Sequence, residues 1–283
     1  MTVSSFLPAY GSAGRRRTRA GLRLVAGLRH TRSAPVAAFW WDGNPNFGDA
    51  LTPWLLPRLG VLPHLVTDGS AELTAVGSVL EMLPAEFSGA VWGSGLLRGR
   101  AHPLSDADYL AVRGPLTLEL QDIRRPVAVG DPGLLVGRMI RRRRPRASLG
   151  VVAHHAHRHD QRWHDLVDAT PGARFVDVQR PVPSVLADIA SCSAVVTSSL
   201  HGLVIADSLG IPAVWCVTGE PLRGGRFKFL DYEAVVTPGR TRVAEDLAEA
   251  AASVRTVRPP SPDVVADVQH GLLEALSAWQ GRR

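Results

Sequence analysis

The chain has 283 residues, enough to bury a substantial core and to build two α/β halves of ordinary size. Hydrophobic residues at 45% and charged residues at 20% exclude a disordered chain, and no apolar run is long enough to cross a bilayer as a helix. The net charge of +6 has a local source: residues 1–35 hold seven arginines (15, 16, 17, 19, 23, 29 and 32) and no acidic residue, and removing them leaves 25 basic against 26 acidic residues.

Because the excess charge sits in an N-terminal arm, and not on a folded face interleaved with aromatics, no nucleic-acid partner is expected. Arg23 and Arg29 interrupt the apolar stretch at 20–28, and no small-residue cleavage site follows, which argues against a secretory signal. Residues 1–34 read as an Arg-rich flexible arm. Leu22, Val25 and Leu28 could also form a basic amphipathic turn that meets anionic lipid through residues 15–32. The expected location is cytoplasmic, with that peripheral contact at the inner membrane face left open. Cys192 and Cys216 are too few for a disulfide framework or a cysteine metal cluster and read as packed thiols.

From Pro35 onward short apolar runs alternate with helical patterns, the signature of parallel α/β architecture. Val36–Trp41 is the first expected strand and 48–59 the first helix. Leu73–Leu80, Gly89–Trp92 and Tyr109–Val112 are further strands, Pro115–Leu120 starts a helix, and Pro126–Val129 closes the first half. A basic knot, Arg138, Arg141 to Arg144 and Arg146 around Pro145, marks a linker over 141–147. The second half restarts with strand Leu149–Ala153 and helix 162–169. Strand Arg174–Val178, helix Pro183–Cys192, strand Ala194–Thr197, helix 200–209 and strand Pro212–Val217 follow. Residues 243–254 and 261–280 read as two closing helices. The expected organisation is thus a half over 35–140, a half over 148–240, and closing helices over 241–283. Two open parallel sheets would put a ligand cleft at the carboxyl ends of their strands.

The sharpest local signal is Thr197-Ser198-Ser199-Leu200-His201-Gly202, where a strand ends, small hydroxyl residues offer helix caps, and a helix begins. Its free N–H groups and dipole favour an anion, and His201 would sit in the first turn, able to exchange a proton. Alone, the same residues would be a capped helix with an incidental histidine. Gly-x-Ser-x-Gly is absent, so this is not a nucleophile elbow.

Trp41-Asp42-Gly43-Asn44-Pro45-Asn46-Phe47-Gly48-Asp49 suits a tight loop near a ligand, with Asp49 accepting a hydroxyl hydrogen bond; Gly93-Ser94-Gly95 would allow close backbone approach. Arg113 and the loop bearing Arg223, Arg226 and Lys228 are candidate anion clamps. Lys228 is the only lysine among 32 basic residues. His154, His155, His157 and His159 crowd the loop after strand 149–153; a metal site with Asp160 is one use, and a cleft-edge His154 is preferred.

In order, Asn46-Phe47-Gly48-Asp49, Gly93-Ser94-Gly95, Val112-Arg113-Gly114-Pro115-Leu116-Thr117 and Gly130-Asp131-Pro132-Gly133 resemble the polysaccharide pyruvyl transferase family. The strand ending in His154, Ser199-Leu200-His201-Gly202, Lys228-Phe229 and Asp231-Tyr232 continue the resemblance, which spans roughly residues 36–233. Glu233 stands where a second aromatic is expected.

The resemblance implies two facing Rossmann-like halves with mostly parallel sheets, similar to the two-domain (GT-B-like) glycosyltransferase architecture. It also implies phosphoenolpyruvate as donor, a sugar, oligosaccharide or lipid-linked glycan as acceptor, and a pyruvate ketal as product in exopolysaccharide or cell-wall glycan synthesis. By resemblance, His201 is the acid–base group with Asp49. Arg113, Ser199, Gly202, Arg223, Arg226 and Lys228 hold the donor, while Asn46, Gly48, Gly93, Ser94, Gly95, Asp131 and His154 line the acceptor side or the cleft. No metal and no cofactor are expected. The rival readings are a nucleotide-sugar glycosyltransferase of the same architecture and a non-catalytic binding protein recruited by its basic arm.

Overall fold

A computed structural model of the chain describes residues 21–43, 45–218 and 222–283. The arginines at 15, 16, 17 and 19, and Asn44 of the first candidate loop, lie outside the described residues. Within the arm, residues 21–27 are helical (α1) rather than part of a structureless tail.

Six strands form the first sheet: β1 (Pro35–Phe39), β2 (Leu62–Leu65), β3 (Leu73–Thr74), β4 (Ala90–Ser94), β5 (Asp108–Val112) and β6 (Ala128–Val129). Their order is β2-β1-β3-β4-β5-β6, and every pairing is parallel. The helices α2 (Phe47–Leu55), α3 (Pro115–Leu120) and α4 (Val136–Met139) belong to this stretch. The second sheet contains β7 (Leu149–Val152), β8 (Ala173–Phe175), β9 (Val195–Thr197), β10 (Ala213–Cys216) and β11 (Val243–Ala244), ordered β11-β10-β9-β7-β8 and again parallel throughout. Its helices are α5 (Gln161–Ala169), α6 (Val182–Ala190), α7 (Leu200–Ser208), α8 (Phe227–Val236) and α9 (Leu247–Ser253).

The long α10 (Pro262–Gly281) leaves the second sheet and packs on β4, β5 and β6 of the first. Trp92 Nε1 donates to Leu272 O at 2.9 Å, and Gln269 Nε2 donates to Leu134 O at 2.7 Å. The chain's end therefore serves its beginning.

Both strand orders contain a reversal of direction. In the first sheet it falls between β1 and β3, and in the second between β7 and β9. At such a point the two loops leaving the strands diverge and open a crevice, which is where open α/β sheets bind ligands. One hydrophobic core cluster runs through both halves: Leu51, Trp92 and Leu134 share it with Val204, Trp215 and Tyr232. No helix among the described residues is long and apolar enough to cross a membrane. Cys192 and Cys216 are buried free thiols, pushed up to about 11 by desolvation.

Four expectations are corrected. The strand expected over Leu73–Leu80 ends at Thr74: Gly77, at φ 129°, turns the chain, and a 3₁₀ turn follows at Leu80–Met82. Strand β2 was not expected because Pro63 interrupts its pattern; as an edge strand it tolerates the missing N–H. Residues 243–254 begin as strand β11, with the helix starting only at Leu247 behind the Asp246 cap. Helix α8 replaces the loop expected around Lys228. It is apolar and charged on all sides because both of its flanks are buried, so it carries no amphipathic stripe to read.

Candidate active site

The corner between β9 and α7 is built by hydroxyl groups. Thr197 Oγ1 donates to Val152 O at 2.8 Å and accepts from Ser199 N at 2.9 Å, tying the corner to β7. Ser198 Oγ accepts from His154 N at 2.9 Å and lies 2.9 Å from His157 Nδ1, which draws the histidine loop alongside. A Cβ on Gly202 would overlap Thr197 Oγ1, so the close approach of helix to strand needs glycine here. Ser199 occupies the N-cap in an extended conformation, but its side chain caps nothing. The expectation of hydroxyl caps is thus corrected: the hydroxyls of Thr197 and Ser198 hold the loops together, and among the described residues no side chain caps the first-turn N–H groups of α7.

His201 stands in that first turn, 7% exposed. Its Nε2 lies 3.4 Å from Asp131 Oδ2, which projects from the loop after β6 in the other half. Among the described residues neither atom makes a hydrogen bond. Asp131 is held by its other oxygen, which accepts from Gly133 N at 2.8 Å. On the opposite edge of the imidazole, Nδ1 faces Gly48 of α2, where a Cβ would overlap the ring. The imidazole fills the space that a side chain at 48 would take.

Asp49, also in the first turn of α2, is buried, and Asn46 Nδ2 donates to it at 2.7 Å. Desolvation pushes its carboxyl up to about 6, against the opposing pull of Asn46, His201 and Lys228. Lys228 on α8 is likewise buried, and desolvation together with the Arg113 charge brings it down to about 8, while Asp49 pulls the other way. His154, just past β7, is shifted below the ordinary histidine range by burial first and then by Lys228 and the neighbouring histidines, so it is neutral at neutral pH. His201 and Lys228 therefore each act electrostatically on Asp49 and on His154, and Asp131 faces His201. Asp49 follows β1, while His154 and His201 follow β7 and β9, the strands that flank the two reversal points.

Several expected roles are not matched by placement. Arg113 is completely buried and turned to partners within the protein. Its Nε donates to Asp231 Oδ2 at 3.0 Å, with Nη2 2.9 Å from the same oxygen as an ion pair; Nη1 donates to Ser78 Oγ at 2.6 Å, and Nη2 donates to Leu96 O at 2.7 Å. Arg223 is exposed, and Arg226 is paired with exposed Glu245 at 3.0 Å. Gly93, Ser94 and Gly95 are buried scaffolding. Gly93 packs on Pro132 beside Asp131, Ser94 Oγ donates to Gly77 O at 3.0 Å, and Gly95 makes room for the Arg113 guanidinium. His157 stacks on Trp163, and no cluster of three metal-ligating side chains exists among the described residues.

The network around α8 was not legible beforehand. Asp231 accepts from Thr117 N at 2.9 Å and Thr117 Oγ1 at 2.6 Å as well as from Arg113, binding α8 to the first half. On its other flank Tyr232 Oη donates to Asp207 Oδ2 at 2.9 Å. Arg242 donates to Asp207 and Glu233, and Trp215 Nε1 donates to Glu233 Oε2 at 2.8 Å. Lys228 is thus carried by a helix bolted to both halves. The only advance signal was Asp231-Tyr232 within the resemblance.

Residues 91–220, which contain Arg113, Asp131, His154 and His201, match the family model described as Polysaccharide pyruvyl transferase. That model describes a family of transferases. Among curated relatives, the chain is 28% identical over 206 residues to the Succinoglycan biosynthesis protein ExoV of Rhizobium meliloti (strain 1021), covering 69% of this chain and 62% of that protein. It is also 29% identical over 161 residues to an uncharacterized protein of Acanthamoeba polyphaga mimivirus, covering 51% of this chain and 54% of the relative. The match spans less than two thirds of the length of either relative.

Proposed function

We propose that the chain moves the pyruvyl group of phosphoenolpyruvate onto two hydroxyls of a sugar, forming a pyruvate ketal and releasing phosphate. The observation that carries this reading is the His201–Asp131 pair, 3.4 Å apart across the two halves at an α7 N-terminus that the Ser199 side chain does not cap. The donor brings a phosphate and a carboxylate. The N–H groups of that first turn and the Lys228 ammonium supply the positive field they need.

In this mechanism Asp131, 3.4 Å from Nε2, favours the imidazolium form of His201, which gives the proton. Proton transfer from His201 to the methylene carbon makes it a methyl group and leaves positive charge on the adjacent carbon. One sugar hydroxyl adds there and loses its proton to Asp49. Phosphate departs with its C–O bond, and the second hydroxyl closes the ketal. Of the two protons lost by the sugar, one replaces that given by His201 and the other leaves with phosphate. Asp49 serves as base once ionised, above about pH 6.

The two parallel sheets with reversals facing a shared cluster support the GT-B-like arrangement, with residues 35–140 as acceptor side and 148–240 as donor side. Such a transfer belongs where phosphoenolpyruvate is available, in the cytoplasm, with an exopolysaccharide or cell-wall glycan precursor as acceptor. The test is phosphate release from phosphoenolpyruvate by the purified chain, with and without acceptor sugars, together with mass analysis of the acceptor. Release that depends on acceptor and is lost in His201→Ala is expected. Turnover of nucleotide sugars alone would replace this reading with the glycosyltransferase one.

A further inference from the structure

Three of the four exposed large apolar side chains among the described residues lie together within residues 22–28. Leu22, Val25 and Leu28 are 67%, 59% and 51% exposed, and Leu230 at 37% is the next. They follow one another at three-residue spacing along α1 and the turn after it, so they share a face. The opposite face is fixed to the protein. Gly27 is buried with no room for a Cβ between it and Leu62 and Pro57, Arg23 pairs with Asp42 at 2.5 Å, and Ser33 Oγ donates to Gly60 O at 2.8 Å. The outward direction of the stripe is therefore set by the fold.

The surroundings of the stripe are cationic. Arg29 and Arg32 are exposed, and Arg58 lies over the Trp54 ring at 4.0 Å with its charge felt by His30. Residues 1–35 contribute seven arginines and no acid. Aliphatic side chains one turn apart, flanked by unopposed arginines, complement a surface that is apolar just beneath a layer of negative charge.

We infer that the stripe Leu22, Val25 and Leu28, with Arg29 and Arg32 beside it, is a docking surface for an anionic lipid bilayer. The aliphatic groups enter the headgroup boundary while the guanidinium groups pair with lipid phosphates. Phosphate pairing makes the attachment reversible and sensitive to salt. The inference stands apart from the transfer reaction, since vesicle binding is read without substrate and neither result decides the other.

The test is co-flotation of the full chain with vesicles of phosphatidylcholine alone or mixed with phosphatidylglycerol. Binding to the mixed vesicles is expected, falling as salt rises. It should weaken at least about tenfold in the triple variant Leu22→Glu, Val25→Glu, Leu28→Glu and in the double variant Arg29→Glu, Arg32→Glu. Both variants leave Arg23 and Gly27 in place, and an unchanged thermal unfolding curve checks the fold. Equal binding to neutral vesicles, no binding at all, or unchanged binding by the triple variant would overturn the inference. So would a dimer that the triple variant dissociates while vesicle binding persists.

Discussion

Asp49→Asn tests whether the fold has placed a carboxylate against its own stability. Burial raises this carboxyl from 3.8 to about 6, so the folded state prefers the neutral acid. The ionised form then carries a cost that is absent below the unfolded value, grows as pH rises, and is complete above about pH 6. At about 1.4 kcal/mol for each tenfold change in proton affinity, the rise from 3.8 to about 6 amounts to about 3 kcal/mol. Asparagine has the shape of the neutral acid and still accepts from Asn46. At pH 8 the variant is therefore expected to be more stable than the parent by about 3 kcal/mol, or roughly 5–10 °C in Tm, while losing turnover. Thermal unfolding of both proteins from pH 4 to pH 8 reads it directly, the two curves converging at the acid end. A variant less stable than the parent at pH 8, or a difference flat with pH, would refute the reasoning.

Three further outcomes follow from the same geometry. Gly48→Ala puts a methyl group into the His201 ring while improving helix propensity, so kcat should fall at least about 100-fold with the circular dichroism spectrum unchanged. Asp131→Asn removes the charge opposite His201 Nε2; kcat should fall about 100-fold or more with KM little changed, measured as acceptor-dependent phosphate release. Arg113→Ala leaves Asp231 buried and unpaired, which should cost about 3–5 kcal/mol of stability by denaturant unfolding, with far less loss in Arg113→Ala/Asp231→Ala.

The strand–helix alternation was legible because apolar runs of four to six residues separated by helical spacing have few other uses. Thr197 to Gly202 likewise announced a strand-to-helix corner through its residue types. His201 and Asp49 could be singled out there, since a polar side chain in the first turn after a buried strand stands at the sheet's carboxyl edge. Arg113 shows the opposite case. A cation after a strand looks the same in sequence whether it meets a ligand or a carboxylate, and Asp231, 118 residues away, decides which. Helix α8 was hidden for a related reason: buried on both flanks, it lacks the periodicity that exposes a helix to inspection.

Returning to the histidine, the amino-acid sequence by itself determined that it begins a helix after a buried strand, because local sterics and hydrogen bonding act over a few residues. The tertiary structure alone decided that its Nε2 faces Asp131, that its ring packs on Gly48, and that Arg113 turns to Asp231. Those pairings join segments far apart in the chain, and only the packing of the two halves on a common core brings them within reach.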